Sequence, residues 1–191
     1  MKRIVKILFV SIICFLGANT AKSQSPYHFD IDYHYNLGVS ETIAGKSFGR
    51  DKYKMGGSAF HLTARYDIAK QWSVGMGVGI ERYTEIDINT MPIFATLRFK
   101  PIEDKNFYVF SNIGYSLKVA SDYHNGFTGR LGLGYTINMA KHFKPYFQVA
   151  YNLNNFRGIE TISYNDNTQQ TDFFKTNSTR HSISFGIGIS F

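Results

Sequence analysis

The chain has 191 residues and a formal net charge of +7, from 21 Lys and Arg against 14 Asp and Glu, with a single Cys. Lys2, Arg3, Lys6 and Lys22, and no acids, fall in the first 23 positions, so the remainder carries only +3. That excludes a strongly basic nucleic-acid-binding surface, and the lone Cys14 excludes a disulfide framework or a thiolate metal site.

Met1 to Lys6 is basic, Ile7 to Leu16 is apolar, and small residues follow. This is the pattern of a secretory signal peptide, and its apolar core is too short to cross a bilayer. Ala21-Lys22-Ser23 sets small residues three and one before a cut. Residues 1–23 are therefore expected to be removed, with a cut nearer Ala21 as the alternative, leaving 24–191 as one domain.

From there the apolar period is two, which is the spacing of strands. In the first strand, Tyr27 to Val39, Phe29, Ile31, Tyr33, Tyr35 and Leu37 alternate with His28, Asp30, Asp32, His34 and Asn36. Ser40 to Met55 is polar and basic, with Lys46, Arg50, Lys52 and Lys54, and reads as a mobile loop. The second strand runs from Phe60 to Ile68, and a tight turn at Ala69-Lys70-Gln71 follows it. The third, from Trp72, sets Val74, Met76, Val78 and Ile80 against Gly75, Gly77, Gly79 and Glu81. The fourth carries Met91 to Phe99, with Pro92 tolerable only near a strand's start. Phe107 to Leu117, Phe127 to Ile137 and Phe147 to Leu153 make the next three. Arg157 to Ser178, full of Asn, Thr and Gln, reads as a second long loop. The eighth strand, Ser182 to Phe191, sorts most sharply, with every odd position large and apolar and every even one Ser or Gly. Ten tilted residues cross roughly 25 Å, the height of an outer-membrane apolar band.

Connections after strands two, four and six are tight, while those after one and seven are long, which predicts short periplasmic turns and longer outer loops. Tyr66, Trp72, Phe99, Phe107, Phe143, Phe29 and Phe191 gather at the tight-turn end, where a lipid–water boundary favours rings. A lipocalin-like soluble barrel would alternate in the same way but would expose Gly75, Gly77, Gly79, Gly114, Gly132, Gly134, Gly186 and Gly188 as bare backbone to water. Facing a narrow lumen, the same glycines leave room for Phe94, Tyr108, Phe110 and Tyr146. The expected fold is all-β, an eight-stranded antiparallel transmembrane up-and-down barrel.

On these features residues 24–191 resemble the small eight-stranded outer-membrane β-barrel proteins of the porin-like superfamily, the outer-membrane protein A and X type. The alternating last strand ending in Phe191 is the most specific part of the likeness. The resemblance implies a bacterial outer-membrane location, outer-membrane lipids as surroundings, and Phe191 as part of the signal read by the barrel-assembly machinery. A monomer is expected. No peptidoglycan-binding domain follows Phe191, so that part of the family's role is not expected here.

Inward positions supply matched charges: Asp30, Asp32, Asp67 and Glu81 against Arg65, Arg98, Lys118 and Arg130. Charges held away from water must be paired, so a lumen ion network is expected. Its tight-turn layer should hold Asp32, Arg65 and Arg98, and its outer layer Glu81, Lys118 and Arg130. His28, Asp30, Asp32 and His34 are metal-ligand types, yet alternate residues stand ~6.6 Å apart along a strand, so one ion reaches only two of them. No metal and no cofactor is expected. His181-Ser182 with Glu160 has hydrolase residue types, but adjacent strand residues face opposite ways, so no enzyme is expected. The function expected is a surface-interaction or envelope-structural role through the outer loops, whose basic first member could meet an extracellular ligand. A narrow passive pore is the alternative, and a lipid-modifying enzyme a more distant one.

Overall fold

The computed structural model describes residues 26–191 apart from 53, 85–87, 103–104, 121–122, 140–142 and 166–169. The signal peptide read from residues 1–23 lies outside the described residues. Among the described residues nine strands follow one another: β1 (Tyr27–Ile43), β2 (Lys46–Gly49), β3 (Gly56–Asp67), β4 (Trp72–Tyr83), β5 (Ile88–Phe99), β6 (Phe107–Leu117), β7 (Gly126–Thr136), β8 (Lys144–Asn165) and β9 (Gln170–Ser190). Each barrel strand pairs antiparallel with its neighbours, and β9 returns to β1, from Asp30↔Ser190 to Ile43↔Ser178. The closure is completed at Phe191, whose backbone exchanges two hydrogen bonds with Phe29. Eight strands thus close an all-β up-and-down barrel, and β2 is a short flap outside the count.

The pleat sorts the residues as the period of two requires. Tyr108, Tyr146, Phe94 and Phe110 are buried in the interior, whereas Met76, Ile113 and Leu131 on the outer face are at least 60% exposed. A continuous apolar outer face of this size has no place in water, and hydrocarbon is the solvent that suits it. At the tight-turn end the rings pair off, Trp72 with Phe99 (centroids 4.4 Å apart), Tyr27 with Tyr66 (5.0 Å) and Phe143 with Phe191 (6.4 Å).

Both long connections differ from the loops expected. β1 runs on to Ile43 and folds back through Ala44-Gly45, both at positive φ (49° and 77°), into β2, so Ser40–Met55 is in part a two-residue hairpin. Arg157–Ser178 is mostly strand, with β8 and β9 paired from Lys144↔Ser190 to Asn165↔Gln170 across a bulge at Phe156/Ile159. Asn, Thr and Gln form such a ribbon without apolar alternation, because the antiparallel backbone ladder does not require it.

On the inner face, rings rest on glycines. Phe94 lies opposite Gly77, Tyr108 opposite Gly134, Tyr146 opposite Gly188, His34 opposite Gly186 and His61 opposite Gly79, each as a directly paired residue. A Cβ built at any of these glycines would collide with the ring across from it. Gly134→Ala, which pushes on the Tyr108 ring in a filled lumen, should cost about 1–3 kcal/mol, read as a lowered urea midpoint of the purified protein at unchanged slope.

Candidate functional site: the charged lumen

The interior is a column of charge in three clusters. Nearest the tight turns, Arg65 donates to both Asp30 oxygens, at 2.6 Å from Nε and 3.0 Å from Nη2, and Arg98 Nη2 donates to Asp30 Oδ2 at 3.1 Å. The Arg98 guanidinium also lies 4.1 Å over the Tyr108 ring and 5.5 Å over that of Tyr146. One carboxylate therefore holds two guanidiniums, and the Tyr rings offer the second a negative π-face.

The middle cluster centres on two imidazoles. His34 Nε2 and His61 Nδ1 stand 2.7 and 3.0 Å from Asp32 Oδ1, and His61 Nε2 stands 3.0 Å from Glu81 Oε1. Tyr146 donates to Asp32 Oδ2 at 2.9 Å and Tyr83 to Glu81 Oε2 at 2.5 Å. Arg130 donates to Asn152 Oδ1 (3.1 Å) and to Glu81 Oε1 (3.4 Å). All of these side chains are buried.

The third cluster, toward the hairpins, pairs Arg180 with Glu41 (Nη2 to Oε2, 2.7 Å), and Ser178 donates to Glu41 Oε1. Glu41 reaches the lumen because of a bulge. The β1–β9 register slips between Gly38 and Ser40, so the inward parity of β1 changes from even to odd just below it. Met55, Tyr83, Ile88, Phe156 and Ile159 are buried near this end and supply an apolar cover.

The residues singled out from the sequence distribute as follows. Asp30, Arg65 and Arg98 meet in one cluster. Asp32, Glu81 and Arg130 meet in another, so Asp32 belongs with Glu81 rather than with the layer of Arg65 and Arg98, because His61 bridges the two carboxylates. Lys118 departs from expectation. It follows the last residue of β6, Leu117, is exposed, and has left the pleat that would turn it inward. His28 and Asp67 pair at the tight-turn rim (2.8 Å). His181 and Ser182 face opposite sides, His181 meeting Tyr151 outside and Ser182 buried inside, so they form no nucleophile–base couple.

His61, Glu41 and Arg180 were not among the residues foreseen. His61 sits at an inward position of β3 and could have been found by treating imidazole as a bridge between acids. Arg180 continues the inward run Ser178-Arg180-Ser182-Ser184 upstream of the last apolar stretch.

No family model and no curated protein matches the chain. Among solved structures it is similar to the outer membrane protein OprG from Pseudomonas aeruginosa (14% identity, 87% of this chain and 96% of that one, TM-score 0.42). It is similar also to Neisserial surface protein A (13%, 85% and 97%, 0.41) and to outer membrane protein AlkL (9%, 91% and 94%, 0.44). Its own architecture, a closed antiparallel barrel with apolar residues outside and polar ones within, is that of an outer-membrane β-barrel.

Proposed function

We propose that this chain is a closed outer-membrane scaffold that works through its projecting hairpins, as a surface-interaction or envelope-structural protein, and that its lumen does not conduct. The observation that carries this is the interior itself. Four carboxylates (Asp30, Asp32, Glu81, Glu41) and four guanidiniums (Arg65, Arg98, Arg130, Arg180) are buried and paired along it. Beside His61, Glu81 and Arg130 the free space is about 10 Å³, room for one water. An eight-stranded barrel is just narrow enough for side chains to fill.

The working surface is then the hairpin end. β8 has 22 residues and β9 has 21, against 11 in β6 and β7, so their paired ends stand well clear of the barrel. The exposed Lys46, Arg50, Lys52 and Lys54 follow β1 on the same end and favour an anionic partner such as surface sugar. With the hairpins outward, the tight turns face the periplasm, the barrel acts as a monomer, and Phe191 is where the assembly machinery would engage. No catalytic step belongs to this reading.

Purified protein in planar bilayers should give no steady openings. Stable, porin-sized conductance from the unmutated chain would overturn the scaffold and favour the passive pore.

A further inference from the structure

We propose that Asp32, His34 and His61 form a binding site for one divalent first-row metal ion inside the barrel. Each of the three offers a ligand atom within 4.8 Å of the others, all three residues are buried, and Asp32 Oδ1 stands 2.7 Å from His34 Nε2 and 3.0 Å from His61 Nδ1. They come from two adjacent strands: Asp32 and His34 are successive inward residues of β1, and His61 is paired directly with Asp32 on β3. Two imidazoles and a carboxylate are the donor set that Zn²⁺ and its neighbours take, with a fourth position left for water.

What lifts this cluster above an ordinary polar core is the support behind each ligand. The far nitrogen of His61 stands 3.0 Å from Glu81 Oε1, the far nitrogen of His34 lies 3.2 Å from Ser184 Oγ, and the far oxygen of Asp32 accepts from Tyr146 at 2.9 Å. Such outer partners fix ligand orientation, and an acceptor behind an imidazole N–H raises that ring's basicity, as in the carboxylate–histidine pairs of metal proteins. The charge also suits a cation. With neutral imidazoles, the cluster holds two carboxylates, Asp32 and Glu81, against the single guanidinium of Arg130.

Two adjustments are needed, and both fall on side chains. Bonds of about 2.0–2.1 Å in tetrahedral geometry set ligand atoms roughly 3.3 Å apart, against 2.7 and 3.0 Å here, so the side chains must open by about half an ångström. Arg130 Nη1, now 3.1 Å from His61 Nδ1, must also withdraw. The cavity beside it is lined by Asn112, whose Oδ1 is buried with no partner among the described residues and which is paired across the strands with Arg130. A guanidinium moving that way gains an acceptor as it gives up the imidazole.

The test uses the full barrel, unfolded in urea, stripped with chelator and refolded into detergent with Zn²⁺ present so that access to the closed lumen is not limiting. One Zn²⁺ per chain should survive desalting and chelator washing. Glu81→Gln, which spares the three ligands, should weaken binding about 10–100-fold. Glu41→Gln, in the separate cluster, should not change it. Cu²⁺ bound to the unmutated barrel should show two imidazole nitrogens by electron paramagnetic resonance, a readout that does not depend on any variant folding. Substoichiometric zinc in the unmutated barrel, or full retention in a folded His34→Gln/His61→Gln double variant, would overturn the site. So would a copper spectrum lacking the two nitrogens.

Discussion

Asp30→Ala should destabilise the barrel by about 3–5 kcal/mol, the range for stranding a buried charge. Asp30 is 2% exposed and is the carboxylate that holds both Arg65 and Arg98. Removing it leaves two guanidiniums in a narrow lumen with Ser73, Ser190 and the Tyr rings as neutral company. Neutral oxygens and π-faces compensate a cation only in part. The measurement is urea unfolding in lipid vesicles, followed by Trp72 fluorescence. Asp30→Asn, which keeps the shape but halves the acceptors, should fall between the two. A loss under about 1 kcal/mol for Asp30→Ala would mean that water reaches the guanidiniums, and the closed lumen would fall with it. The contrast with Glu41→Ala is informative, because Glu41 holds one guanidinium where Asp30 holds two.

How much of this was legible follows from what alternation can and cannot encode. Where one face meets lipid and the other a packed lumen, each residue's side is written in its polarity, so Ser182 to Phe191 and Trp72 to Ile80 declare themselves as strands. The glycines opposite Phe94, Tyr108 and Tyr146 were legible too, as room for larger side chains. Above the lipid both faces are wet and polarity carries no sign. The β-ribbon continuing through Thr161 and Thr171 therefore looked like a loop. The bulge between Gly38 and Ser40 inverts parity without any residue advertising it, and so Glu41 went unrecognised. Counting opposite charges favoured Lys118, which parity alone placed inside. Strand length, unknown from the sequence, puts it outside. His61 was passed over because imidazoles were left out of the charge count, although it is what joins Asp32 to Glu81.

Leu131→Arg tests the solvent around the barrel. Leu131 stands on the outer face of β7, four residues from Phe127 toward the hairpins and four from Tyr135 toward the tight turns, and it is 60% exposed. If hydrocarbon surrounds it, a guanidinium there must be dehydrated or must draw water and headgroups inward, at a cost of about 2–4 kcal/mol for Arg near the midplane. The cost should fade toward the rims, where the side chain snorkels, so Tyr135→Arg should add only about 0–1 kcal/mol of charge penalty. In water the same surface change would stay within about 0.5 kcal/mol at either depth, because an exposed Arg is fully solvated. The decisive quantity is thus the difference between the two positions, measured by reversible urea unfolding in vesicles. A large penalty at Leu131 with a small one at Tyr135 fits a lipid belt centred on β7. Equal and negligible costs would make the apolar face a surface for protein and remove the membrane from the account.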